Sequence, residues 1–241
     1  MCGRVYINAT LDELMGNFAF AGKGDVEGLA NRFPRYNGAP TQDYPIIIRD
    51  VIRQPDLFGP VFVSARWGFR PTWWKEGMPQ PVNAKAEEIA TKPMFRSAYR
   101  SRRCLVPIKG FFEWKDIHGT GKNKQPYAIA MADGSAFALA GIWEAWRDEH
   151  DIDIRTFAIV TCVPNEMMAE IHDRMPVILH REDYDRWLSP EPDPHDLMKP
   201  FPSEKMTMWK IKSGPAGVGS VKNNGSDLID PLPDNPEPPL L

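Results

Sequence analysis

The sequence predicts an α+β domain built mainly on antiparallel sheet, and three observations carry that expectation. Short apolar runs rich in β-branched and aromatic residues recur along the chain. Turns of hairpin length separate most of them. Helical spacing appears only at irregular intervals, without the regular strand-helix alternation of a parallel sheet. A chain of 241 residues can close one sizeable core, so a single domain is expected over residues 2–230. The acidic, proline-rich residues 231–241 read as a flexible tail.

In chain order, Thr10 and Glu13 have capping-box spacing ahead of Leu14 and Phe18, which predicts a helix in "TLDELMGNF" despite Gly16. The runs "YPIIIRDV", "VFVSARWGF", "RCLVPI", "YAIAMA", "FALAGIWEAW", "RTFAIVTC" and "MPVIL" then read as strands, being too short for helices. Apolar residues at three-to-four spacing predict helices in "AEEIATKPMFRSAYR", interrupted by Pro93, in "NEMMAEIH" and in "REDYDRWL".

Hydrophobic residues make up 42% and charged residues 25% of the chain, the balance of a globular protein rather than a disordered one. No apolar run is long enough to span a bilayer and no signal sequence opens the chain, so a cytoplasmic location is expected. Cys2, Cys104 and Cys162 are widely spaced and form no CxxC pair, which argues for free thiols and against a zinc site. The net charge of −3 becomes +1 without the terminal acids Asp227, Asp230, Asp234 and Glu237. Arg96, Arg100, Arg102 and Arg103 in "RSAYRSRR" are compatible with a local basic surface within that remainder, a solvated charged face being the ordinary reading of such a run.

The opening "MCGR" carries the most distinctive chemistry. Removal of Met1 leaves Cys2 with a free α-amine beside its thiol. An α-amine titrates near pH ~8, so part of it is unprotonated at neutral pH and attacks carbonyls. The thiol of the same residue can close the resulting imine to a five-membered thiazolidine. The same group equally suits an N-terminal nucleophile that hydrolyses glutamine, and position 2 alone leaves both open.

The blocks "MCGR", "ARWGFRPTWW", "PVNAKAE", "RRCLVPIKGFFEWK", "FALAGIWE", "IHDRMPVIL" and "VKNNGSDLIDP" follow one another over residues 2–231. In that order the chain resembles the SRAP family, the SOS response-associated peptidases. The resemblance implies a barrel-like core. It also implies capture of abasic sites in single-stranded DNA as a thiazolidine crosslink through Cys2, with Met1 removed by autoproteolysis or by an aminopeptidase. A Schiff base whose ring closure is slow would add a weak lyase activity. Carried over by motif, Cys2 is the nucleophile, Asn83 orients the sugar or phosphate, Glu113 transfers protons and His172 shuttles them. No metal or cofactor is implied. A monomer that joins the nucleoid during DNA damage is expected.

For the DNA itself, cations on phosphates and flat side chains against bases are the usual means of holding a single strand. Arg4 lies two residues from the nucleophile, and the resemblance makes it a phosphate ligand. Trp67, Trp73 and Trp74 are candidate stacking residues, accompanied by Arg66 and Arg70. Lys85 stands where many family members carry arginine, which keeps the charge and loses the two-pronged hydrogen bonding. Two competing readings remain at this level, a glutamine amidohydrolase indifferent to DNA and a non-covalent strand binder for which Cys2 is incidental.

Overall fold

The computed structural model describes residues 2–49, 59–147 and 153–233. Among them the strands are β1 (Val5–Ile7), β2 (Gly22–Lys23), β3 (Arg35–Gly38), β4 (Asp43–Ile48), β5 (Val61–Trp67), β6 (Asn83–Lys85), β7 (Arg103–Ile108), β8 (Gly110–Lys115), β9 (Gln125–Met131), β10 (Phe137–Arg147), β11 (Asp153–Cys162), β12 (Met175–Pro176) and β13 (Met206–Lys210). The helices are short: α1 (Leu11–Gly16), α2 (Ala86–Ile89), α3 (Arg96–Ser101), α4 (Glu166–Ala169) and α5 (Tyr184–Leu188).

Helix α1 begins where the sequence places it. The Thr10 side chain accepts from the Glu13 N–H at 3.2 Å and the Glu13 carboxylate accepts from the Thr10 N–H at 2.8 Å, completing the capping box. Pro93 separates α2 from α3, as a residue without an N–H must. Asn165 caps α4 through the Met168 N–H.

The strands build two sheets. In the larger, β11, β10, β7, β4 and β5 pair antiparallel in that order, and β5 returns to pair with β11 in parallel, closing a barrel. Closure rests on two residue pairs, Arg66 with Thr156 and Trp67 with Phe157. Indole and phenyl stack there at 6.2 Å and 13°, and Tyr44 meets both edge-on. Strands β6 and β12 add to β11. The smaller sheet is antiparallel throughout, in the order β13-β9-β8-β1-β3. Only Lys109 separates β7 from β8, so one segment of chain passes from barrel to second sheet.

The main core fills the barrel and the space between the sheets, and it includes Cys2, Trp67, Phe111 and Phe157. A second core around Tyr6, Phe112 and Trp209 lies on the other face of the smaller sheet, covered by Val218, Leu228 and Ile229. Gly110 is required there, because a Cβ would run into the Tyr6 ring. The C-terminal segment is tied down as far as Leu232, whose N–H donates to Lys210 at 3.0 Å. The predicted tail beyond residue 233 lies outside the described residues, as do the last two residues of "YPIIIRDV".

The basic surface read as compatible with "RSAYRSRR" needs correction. Arg96 and Arg100 are exposed. Arg102 pairs with the buried Glu144 at 2.7 Å. Arg103 is buried, donating to the carbonyls of Trp187, Tyr99 and Glu191 at 2.6–2.7 Å, where it anchors the end of α5.

No helix among the described residues is long and apolar enough to cross a membrane. If the seam is what closes the barrel, Trp67→Ala should cost about 3–5 kcal/mol of stability, against about 1 kcal/mol for Thr10→Ala. Urea unfolding of the two variants compares them directly; equal losses would deny the seam that role.

Candidate active site

Cys2 precedes β1, which is hydrogen-bonded on both sides and therefore fixes the residue's position. Val5 pairs with Gly38 of β3 and with Phe111 of β8, and the Phe112 N–H donates to the Arg4 carbonyl at 3.0 Å. Cys2 itself is 0% exposed. Burial pushes its thiol well above the ordinary range, the Glu113 carboxylate raises it further, and the Arg4 backbone N–H opposes the rise. Glu113, two residues along β8 from that pairing, is only 3% exposed.

Asn83 reaches Cys2 from the barrel. It opens β6, whose parallel pairing sets Asn83 opposite Ile159 of β11. Its Nδ2 donates to the Cys2 carbonyl at 2.9 Å. Its Oδ1 is buried and accepts no hydrogen bond among the described residues. A buried acceptor in that condition suits a ligand hydroxyl or amine.

His172 follows α4 and lies on the turn that leads into β12. The Arg174 N–H donates to its Nδ1 at 3.0 Å, and a carboxylate oxygen of Asp173 is 2.8 Å from the same nitrogen. The first contact needs a bare Nδ1 and the second a hydrogen on it, so the same nitrogen has a partner as acceptor and as donor. Arg174 is held by two hydrogen bonds from its guanidinium to Glu87, at 2.6 and 2.9 Å, and by the Thr161 carbonyl at 2.7 Å. Sequence reasoning passed over this clamp although both residues stand in quoted blocks. The bidentate pair crosses 87 positions, and local spacing carries no trace of it.

Arg4 is half-buried and reaches the loop before the last block, donating to the carbonyls of Val218 and Gly219 at 3.3 Å each. Asn224 fastens that loop to β3 by accepting from the N–H groups of Tyr36 and Asn37 at 2.8 and 3.2 Å. Asn37 returns donors to Ser220 and Asn223. "VKNNGSDLIDP" thus builds a wall beside Arg4.

The family model for SRAP, SOS response associated peptidase, matches residues 1–216. The chain belongs to the SRAP family. The abasic site processing protein YoaM of Bacillus subtilis is 35% identical over 239 residues, covering 95% of this chain and 98% of the relative. Its Escherichia coli counterpart YedK is 31% identical over 235 residues, covering 96% and 100%. A crystal structure of a Bacteroides thetaiotaomicron protein superposes with a TM-score of 0.81 at 26% identity, over 96% of this chain and all of that one.

Of the aromatic residues expected to meet DNA in this SRAP chain, Trp67 must be reassigned. It is 1% exposed, and its Nε1 donates to the Val82 carbonyl at 2.9 Å, so it serves the barrel seam. Trp73 is 49% exposed. Trp74 is half-buried, held by Nε1 on the Met78 carbonyl, by the Arg70 guanidinium 4.4 Å over its ring and by Trp146 edge-on. Trp146, on β10, was missed because its run reads as core strand. Lys85 is exposed on β6.

Cys104 and Cys162 are buried too, and burial pushes the Cys162 thiol up to about 12. Iodoacetamide should therefore label all three cysteines slowly in the native chain. Glu113→Gln removes a negative charge, lowers the Cys2 thiol pKa and moves its labelling curve to lower pH, leaving the other two in place. Peptide-resolved mass spectrometry reads each site; an unmoved Cys2 curve would sever the coupling to Glu113.

Proposed function

We propose that this protein processes abasic sites by capturing them, in single-stranded DNA, as a thiazolidine crosslink through Cys2 once Met1 is gone. The observation that carries this reading is the buried Cys2, its carbonyl held by Asn83 and its thiol coupled to Glu113, in a family whose curated relatives are named abasic site processing proteins.

Loss of a base leaves a sugar hemiacetal that opens to an aldehyde. The Cys2 amine adds to that carbon, and Glu113 accepts the amine's proton and returns one to the departing oxygen, releasing water. The thiolate then adds to the imine carbon while the nitrogen takes up a proton. The adduct therefore weighs protein plus DNA minus one water. Asn83 offers its unpartnered Oδ1 to a sugar hydroxyl. His172, whose Nδ1 has a partner as acceptor and as donor, moves a proton during ring opening.

Arg4 suits a phosphate because its two present acceptors are neutral carbonyls at long distance, and a charged oxygen is the stronger acceptor. Trp73 presents a free face for stacking, and Lys85 supplies a second cation. Such contacts read backbone and stacking rather than sequence. Autoproteolytic loss of Met1 belongs to the same reading, as does slow strand cleavage when the imine outlives ring closure.

The test is a denaturing gel of the protein with single-stranded DNA carrying one abasic site, followed by intact mass. The expected product is a heat-stable adduct lacking Met1, absent for Cys2→Ala and formed about 10²–10³-fold more slowly by Glu113→Gln. A processed protein that forms no adduct, or a Cys2→Ala variant that still does, sinks the proposal.

A further inference from the structure

The outer face of the barrel seam carries a cluster of arginines that the site above does not use. Arg66, opposite Thr156, and Arg155 line a groove of about 310 Å³ together with Arg32, Asp25 and Asp43. Asp43 is shared by Arg32 at 2.9 Å and Arg66 at 3.2 Å, and Asp25 takes Arg155 at 3.0 Å. Arg70 completes the set. Its backbone N–H donates to the Thr156 hydroxyl; burial lowers the pKa of its guanidinium, and the nearby charge of Arg66 adds to that. It makes no ion pair among the described residues, and its Nε is buried without an acceptor.

Three guanidiniums thus line the groove against two carboxylates, with Arg70 beside it over the aromatic rings, on a chain whose net charge is −3. The excess lies beside aromatic rings. Arg70 sits over Trp74 and Trp146 at 4.4 and 5.2 Å, and Ile154, which pairs with Trp146, lines the same groove. The loop that carries Trp73 and Trp74 leads directly into Asn83. Cations interleaved with flat rings on one continuous face are what a single strand binds.

We infer that the seam groove is a second binding segment for single-stranded DNA, taking phosphates that flank the lesion onto Arg66 and Arg155 after the strand passes the Trp73–Trp74 loop. This rests on the reading of the protein as a single-strand binder. It adds a site away from the reacting nucleotide, one whose contribution depends on strand length. Asp43 limits its strength, because it occupies two of the three cations that line the groove.

The experiment compares oligothymidines of about 20 and about 6 nucleotides by fluorescence anisotropy over a range of salt. Arg66→Ala with Arg155→Ala should weaken binding of the longer strand roughly tenfold and reduce the slope of log K against log salt by about 1.4, at about 0.7 per phosphate contact. The short strand should bind as before. The paired lysine variants should retain most of the slope. Asp43→Asn should tighten binding of the longer strand several-fold, an outcome that damage to the fold cannot produce. Unchanged affinity and slope in the double alanine variant, or weaker binding by Asp43→Asn, overturns the inference. Crosslinking of a short abasic strand by both variants tests the proposed function separately, and it is expected to proceed at the wild-type rate.

Discussion

Closure of the barrel between β5 and β11 is the constraint on which the rest of the structure depends. It is the one place where the five barrel strands meet in parallel, over two residue pairs, so little of its strength can come from ladder hydrogen bonds. Aromatic packing supplies the difference, with Trp67 stacked on Phe157 and Tyr44 against both. Gly68 then turns the chain off the seam at φ +139, a conformation that other residues rarely adopt. Its N–H still reaches the Phe157 carbonyl, and the chain returns at Val82, whose carbonyl accepts from both Trp67 Nε1 and the Ile159 N–H. The intervening loop is pinned at both ends to one strand. Its exposed tip can therefore present Trp73 without loosening the barrel.

The electrostatics at Cys2 depend on whether Met1 is attached. In the intact chain burial and then the Glu113 carboxylate raise the Cys2 thiol, while the terminal ammonium and the Arg4 N–H oppose them. Loss of Met1 would move that ammonium onto Cys2 itself, where its attraction to a carboxylate is magnified by the low effective dielectric of a buried site. Under the proposed function Glu113 would then serve as counter-ion before it serves as proton acceptor.

Local patterns made the elements legible: the capping box at Thr10, the break at Pro93 and the apolar strands all stand where the sequence puts them. Cys2 stood out as a candidate for a similar reason, since only its position and residue type are needed to single it out. What failed was long-range. Trp67, Trp73 and Trp74 sit in one short segment, yet the first is core and the third half-buried, and only the seam separates their fates. Arg102 and Arg103 read as surface charge because their partners, Glu144 and the end of α5, lie 42 and more positions away in sequence. The short strands β1 and β3 have no periodicity to show. Their pairing is fixed by β8 and by Asn224, and neither spacing nor propensity encodes such contacts.

The site residues belong to two different structural units. Cys2 and Glu113 are joined through the smaller sheet, where β1 pairs with β8. Asn83 and His172 both depend on β11, one through the pairing of β6 and the other through the turn between α4 and β12. The hydrogen bond from Asn83 to the Cys2 carbonyl bridges the two. The bridge needs both the closed barrel and the second sheet in place, since neither unit contains both partners. The junction also accounts for the spread of the blocks that carry Cys2, Asn83 and Glu113, which lie far apart in the chain and come together there.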